Sequence, residues 1–408
     1  MLERSKCMNV PEIRFKEFCD YYSDFLLEKC LSVSNKKNNK LEYKKEDALS
    51  VSDEFGVVNQ IEHLGRSYTG NNISTYKILN KGQIVYTKSP LKLKPFGIIK
   101  VNNNKPGIVS VLYAIYDVKE GFDPNYISVY FEPNFRLNRY LLPLINKGAK
   151  NTINISDETA LSGEVHIPLS YAEQQKIASY FQSLDSLIQT TSKELTSLKQ
   201  IKAASLQSMF PQEGETVPKV RFKGFKEGWE KEKLGNLFKE RIENNINGEL
   251  LSVTINNGII KASDNGRFDN SNNDKSHYKV VKIGDIVYNT MRMWQGASGY
   301  SAYEGIVSPA YTVIIPQEQV FPLFFAYLFK TQSLINRFRI HSQGLTTDTW
   351  NLKFAGFSII EVCFPKSKLE QQKIASYFCN LDKQISLQTQ RLEKLKQIKA
   401  ACLDKMFV

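Results

Sequence analysis

EQQKIASYFQSLDSLIQTTSKELTSLKQIKAASLQSMF fills Glu173–Phe210, and EQQKIASYFCNLDKQISLQTQRLEKLKQIKAACLDKMF fills Glu370–Phe407. Aligned without a gap, the two match at 23 of 38 positions, where chance would give roughly two or three. Neither copy contains Gly or Pro, and both are rich in Leu, Lys, Gln, Glu and Ala, so both predict helix. An a/d heptad seam runs through Ile177, Phe181, Leu184, Ile188, Leu195 and Leu198 in the first copy. In the second it runs through Ile374, Phe378, Leu381, Ile385, Leu392 and Leu395. One polar residue interrupts each seam at the same place, Thr191 and Gln388. Past Leu198 and Leu395 the next apolar residues, Ile201 and Ile398, come after three positions instead of four. That spacing reads as a phase slip, beside alanine pairs small enough for close backbone approach. Pro168 and Pro365 stand just upstream, where a helix can begin.

A helix with an apolar seam must bury it, and a near-copy in the same chain is the obvious partner. Packed antiparallel, the two would form a rod with a pseudo-twofold axis, each helix about 57 Å long at 1.5 Å per residue. Residues preserved between the copies on the expected outward face (Gln174, Gln175, Lys176, Ser179, Lys199, Gln200, Lys202) suggest a second use of the surface, because seam packing does not fix them.

The duplication reaches further. Val10–Lys16 recurs as Val217–Lys223, Lys81–Tyr86 as Ile283–Tyr288, and Gly107–Ser110 as Gly305–Ser308. Asn138-Arg139-Tyr140 answers Asn336-Arg337-Phe338. The chain is therefore one unit written twice, each a globular part followed by the shared helix. The expected divisions are 1–166 and 213–363 for the globular parts, and 167–212 and 364–408 for the helices. Short β-branched and aromatic runs at Ile84–Tyr86, Ile98–Val101, Ile108–Tyr116, Ile286–Tyr288 and Val307–Ile315 predict strands. Asp123–Ile145 and Pro322–Ile340 have helical spacing. Each globular part is thus expected to be α/β (α+β) with long loops.

At 408 residues the chain exceeds one typical core. A net charge of +12 points to a polyanionic partner, most simply nucleic acid. The six cysteines form no CxxC pair, and the N-terminus has no apolar signal core. Val320–Phe329, the longest apolar run, is too short to span a bilayer, so a cytoplasmic protein with reduced thiols is expected.

The motifs of common enzymes are missing. There is no phosphate-binding loop and no dinucleotide glycine fingerprint, and the four histidines lack metal-ligand spacing. Ser308-Pro309-Ala310-Tyr311 resembles in part the catalytic tetrapeptide of amino-methyltransferases. It lacks the second proline, no glycine-rich cofactor site precedes it, and it reads as the start of a buried strand. What remains is loop chemistry suited to duplex DNA. After the strand ending at Tyr288 come Asn289, Arg292, Trp294 and Gln295; Arg suits guanine, and Asn or Gln suits adenine. The corresponding loop in the first half carries Lys88, Lys92 and Lys94. A second loop pair holds Lys147, Lys150 and Asn151 in the first half, and Gln343, Thr346 and Thr347 in the second. A third holds Arg66 and Arg267. Strands match between halves while these loops diverge, as expected if each half reads a different short sequence.

On the duplicated E-Q-Q-K-I-A…L-D…L-K-Q-x-K helix and the lead-in segments Pro11–Phe15 and Pro218–Phe222, the chain resembles the specificity (S) subunit of type I restriction–modification systems. The resemblance implies a non-catalytic DNA-reading subunit with two tandem target-recognition domains, separated by two long helices packed as an antiparallel coiled coil. It implies an asymmetric, bipartite site in double-stranded DNA, with half-sites roughly 34–36 Å apart. The implied partners are two modification (M) subunits, which carry S-adenosylmethionine and methylate adenine, and two restriction (R) subunits, which use ATP and Mg. On that reading Gln174, Gln175, Lys199, Lys202, Gln371, Gln372, Lys396 and Lys399 are candidates for M-subunit contact, and this chain binds no cofactor and no metal. A free-standing bipartite DNA-binding regulator is the main alternative; a coiled-coil adaptor and an undetected nuclease are others.

Overall fold

The computed structural model describes residues 10–90, 94–147, 153–255, 257–265, 274–347 and 349–408. It divides into two compact units, Met1–Thr191 with Arg391–Val408, and Ser192–Gln390.

In the first unit a four-stranded antiparallel sheet runs in the order Leu31–Val33, Ala114–Val118, Ile84–Tyr86, Ile99–Val101. Ile84, Val85 and Tyr86 are fully buried, which is why this strand reads as an unbroken apolar run. Three strand pairs flank it: Lys77–Leu79 with Gly107–Val109, Leu49–Ser52 with Gly56–Asn59, and Tyr22–Leu26 with Glu164–Pro168. The helices Pro124–Tyr130 and Asn134–Leu141 close the core. The second unit repeats the plan. Its sheet order is Phe238–Glu240, Tyr311–Pro316, Ile286–Asn289, Ser298–Tyr300. The flanking pairs are Lys279–Val281 with Gly305–Val307, Leu251–Thr254 with Gly258–Lys261, and Glu230–Lys233 with Glu361–Phe364. Helices Pro322–Leu328 and Gln332–His341 follow. The shared glycines Gly107 and Gly305 have a steric cause. A Cβ there would lie 2.2 Å from the Asp47 carbonyl and 2.3 Å from the Glu249 carbonyl.

Three expectations need correction. The runs Ile108–Tyr116 and Val307–Ile315 are not single strands. Each breaks at a turn closed by Tyr113 N–H on Ser110 O or Tyr311 N–H on Ser308 O, and the two pieces join different sheets. Pro309 and Ala310 are therefore an exposed turn, not the start of a buried strand. The two helical runs each split in two, the first where Pro133 cannot continue a helix. The segment answering Leu234–Leu237 in the first half is Leu27–Cys30, because both are single helical turns between a flanking strand and the first sheet strand.

The shared stretches form the helices Tyr171–Ser208 and Lys368–Lys405, 38 residues each. In the first unit Tyr180 Oη lies 3.4 Å from Cys402 Sγ and Asp185 lies 2.6 Å from Lys399 Nζ. In the second, Tyr377 Oη lies 2.9 Å from Ser205 Oγ and Asp382 lies 2.5 Å from Lys202 Nζ, while Gln388 donates to Glu194 at 3.2 Å. In each unit the partner number falls as the other rises, so the helix segments run antiparallel. Ile177, Phe181, Leu184, Leu195, Ile374, Phe378, Leu381 and Leu392 are buried; Ile188, Leu198, Ile385 and Leu395 are half-buried. Each fully buried side chain of this size is worth about 1.5–3 kcal/mol.

The expected phase slip does not occur. Ile201 and Ile398 are 46% and 38% exposed, and the alanine pairs beside them are exposed too. The heptad continues instead through Lys202, Ser205 and Met209, and through Lys399, Cys402 and Met406. Its lysines hide in the seam because each has a carboxylate partner.

The start of each long helix is held in a polar socket. Arg14 clamps Glu173 at 2.7 and 2.8 Å, and Arg221 clamps Glu370 at 2.7 and 2.9 Å. Gln174 accepts from Asp123 N–H at 2.9 Å and donates to Pro168 O at 2.9 Å; Gln371 accepts from Phe321 N–H at 2.7 Å and donates to Pro365 O at 2.9 Å. At the far ends, Phe407 packs with Tyr126, Tyr130 and Phe181, and Phe210 with Trp229, Phe324 and Phe378.

Candidate nucleic-acid interface

In the second unit three of the expected DNA-reading residues meet in one place. Asn289, Arg292 and Gln295 line an open concavity of about 540 Å³ with Ser252, Thr254, Asn257 and Tyr311. Asn289 ends the buried strand Ile286–Asn289, and its side chain accepts from Met291 N–H at 3.0 Å, turning the chain. Arg292 precedes the single 3-10 turn Met293–Gln295; its carbonyl accepts from Gln295 N–H at 2.9 Å and Ala297 N–H at 3.1 Å. The Arg292 residue itself is exposed. Among the described residues that line the groove there is one cation and no carboxylate. That combination admits a polyanion and offers donors and acceptors to base edges.

Trp294 braces the turn. It is half-buried, its Nε1 donates to Met291 O at 3.0 Å, and Trp350 meets its ring edge-on at 5.2 Å. Through Trp350, and through Leu352 N–H on Thr290 O at 2.9 Å, the loop with Gln343, Thr346 and Thr347 is tied to the turn that bears Arg292. Those three residues are exposed; Gln343 pairs its backbone with Asn351, and Thr346 is fixed by Thr349. Sequence reasoning missed Ser252, Thr254, Asn257 and Tyr311. The available signal was the Asn257-Gly258 step between two β-branched runs, a hairpin mark.

The first unit assigns its lysines differently. Lys88 is half-buried and donates to Asp157 at 2.6 Å, and Lys77 donates to the same carboxylate at 2.8 Å. Lys94 is buried, donating to Glu132 O at 2.7 Å and pairing with Asp53 at 3.2 Å. Both ammonium groups are already held by carboxylates distant in sequence. Arg66 is exposed and lies 4.6 Å over the Tyr68 ring. The backbone of Lys147 pairs with Ile153; its side chain, with Lys92, Lys150, Asn151 and Arg267, lies outside the described residues. A concavity of about 560 Å³ in this unit is lined by Glu46, Asp47 and Glu62 beside Asn59, His63 and Lys105, a lining that repels phosphate.

Residues 226–397 match the family described as type I restriction modification DNA specificity domain. That stretch of the chain is similar to this family. The matched stretch takes in the whole Asn289–Arg292–Gln295 groove, and Glu370 but not its partner Arg221. The fold of the full chain is similar to the S subunit of the type I restriction–modification system from M. genitalium, at 12% identity and a TM-score of 0.59, covering 98% of this chain and 99% of that one. The HsdS subunit from Thermoanaerobacter tengcongensis is also similar, at 13% identity and a TM-score of 0.44, covering 95% of this chain and 96% of that one. No curated protein matches the chain in sequence. Among the described residues no helix is long and apolar enough to cross a membrane.

Of the eight residues expected to face a partner, four do not face outward. Gln174 and Gln371 are completely buried in the sockets described above. Lys202 is bound to Asp382, and Lys399 to both Glu132 and Asp185, at 2.5 and 2.6 Å. Their identity between copies follows from internal hydrogen bonding and ion pairing. Gln175, Gln372, Lys199 and Lys396 are exposed.

Proposed function

We propose that the chain is the DNA sequence-specificity subunit of a type I restriction–modification complex. Each unit reads one half of an asymmetric, bipartite duplex site, and the long helices, packed as an antiparallel coiled coil, set the gap. The observation that carries this reading is the groove with Asn289, Arg292 and Gln295, free of carboxylates and contained in the stretch that matches the specificity-domain family. Repetition of one scaffold with divergent loops supports the bipartite site, since a common frame with different linings suits two different half-sites. The faces repeated and exposed on both long helices, Gln175, Ser179, Lys199, Gln200 and Ile201 with their counterparts Gln372, Ser376, Lys396, Gln397 and Ile398, are suited to two copies of one partner. That partner is the modification subunit, which brings S-adenosylmethionine and flips an adenine from each half-site for methylation. Restriction subunits using ATP and Mg complete the assembly in the cytoplasm, and this chain contributes no catalytic group.

Sequencing the methylated bases of the host genome with and without this gene tests the proposal. Loss of one bipartite adenine motif on deletion supports it. An unchanged methylation pattern, with the purified protein bringing down no methyltransferase, favours a free-standing regulator instead.

A further inference from the structure

Lys330 stands between the helices Pro322–Leu328 and Gln332–His341, and its side chain turns back toward the groove. Its ammonium donates to Gly296 O at 2.5 Å, Ser298 O at 2.8 Å and Ile255 O at 3.1 Å. Those acceptors belong to two separate segments. Ile255 follows the strand Leu251–Thr254, and Gly296 and Ser298 close the turn that bears Arg292 and Gln295. Gly296 takes a φ of +82°, a conformation suited to glycine, and an added Cβ would sit 3.7 Å from the Lys330 stem. Burial pushes the Lys330 ammonium down to about 8, and Lys202 adds to that push while Asp382 opposes it. A cation in such a position is retained by its acceptors.

The first unit shows that the tie is not incidental. The position after its buried Phe131, equivalent to Lys330 after Phe329, is Glu132. There the Glu132 carbonyl accepts the Lys94 ammonium at 2.7 Å, and Lys94 lies in the segment that answers the reading turn. Both units thus fasten the helix junction to that segment by one ammonium on backbone carbonyl, with the lysine on opposite sides. A requirement met by different residues in the two halves is a requirement of the reading loop, not a relic of duplication.

We propose that Lys330 is the positioning residue for base reading by the second unit: it joins the Ile255 turn to the Gly296–Ser298 segment, so that Arg292 and Gln295 meet DNA already ordered. The inference rests on the DNA-reading function proposed above. Ordering the groove in advance removes a cost otherwise met at binding, so loss of the tie weakens the best duplex by about tenfold or more while leaving non-specific binding unchanged.

The test uses the full chain in complex with its methyltransferase subunits, as wild type and as Lys330→Met. Amide hydrogen exchange is measured first. Faster exchange confined to peptides spanning 253–258 and 289–298 is expected; unchanged exchange there, or faster exchange throughout the chain, overturns the tie. A random duplex library is then selected for binding. Lys330→Met is expected to keep the half-site read by the first unit and to lose sequence preference at the other. Preference retained at both, or lost at both, overturns the proposal. A wild-type complex that selects no bipartite motif defeats the functional reading itself, and the exchange measurement then decides the tie alone.

Discussion

Arg14 and Glu173, 159 residues apart in the chain, meet in a two-point ion pair, with Nε on Oε1 at 2.7 Å and Nη2 on Oε2 at 2.8 Å. The Glu173 side chain is 1% exposed. Removing one partner of such a pair leaves a buried charge uncompensated, at a cost of about 3–5 kcal/mol. Arg14→Ala is therefore expected to destabilise the first unit by about 3 kcal/mol, and Arg221→Ala to do the same to the second. Urea denaturation checks both; a loss under about 1 kcal/mol for either would mean the socket is held by its hydrogen-bonded glutamine instead.

The seam lysines should differ in cost although they occupy the same repeat position. Lys399 is 16% exposed and serves two carboxylates, while Lys202 is 28% exposed and serves one that is itself 41% exposed. Lys399→Ala should cost about 3 kcal/mol and Lys202→Ala about 1 kcal/mol. Thermal melts of the two variants measure the order, and equal losses would contradict it.

Asp157 makes the first unit acid-sensitive. Burial pushes its carboxyl up, but hydrogen bonds from the Lys77 and Lys88 ammonium groups outweigh this and hold it below the ordinary value. A depressed folded value means that the stabilisation is present above the unfolded value and is lost as pH falls through the folded one. Urea midpoints are expected to fall below about pH 4, and Asp157→Asn should flatten that fall. A variant with the wild-type acid profile would exclude this carboxylate as the cause.

Arg292→Ala should impair reading of one half-site only, by about 1–3 kcal/mol if the guanidinium grips a guanine. Competition binding against duplexes altered in either half-site measures it. An equal loss on random duplex, with a shallower salt dependence, would make Arg292 a phosphate contact.

Much of this architecture was legible before any coordinates. The repeat announced two similar units and two long helices, and Ile84–Tyr86 was recognisable because a strand buried on both faces has no polar alternation to obscure it. The misread polar side chains share one cause, partners remote in sequence. Lys88 and Lys94 look like solvated loop cations until Asp157 and Glu132 are brought beside them. Lys202 and Lys399 look like surface residues because a heptad pattern counts only apolar positions, and a charge satisfied across the seam escapes it. Gln174 and Gln371 look like surface amides, yet each saturates backbone groups where helix, strand and loop meet. The break at Ser110 was hidden because Val111, Leu112 and Tyr113 keep the run apolar, whereas the break at Ser308 was marked by Pro309.

The two sockets that grip the helix starts use the same arginine, glutamate and glutamine, and the same Met-Phe pair ends each shared stretch. Genetic exchange within either copy of that stretch would deliver a foreign reading head with its coupling already intact. On the function proposed above, one crossover would change the half-site read by one unit while keeping its socket, and new targets would be acquired by shuffling instead of by slow refinement of a groove.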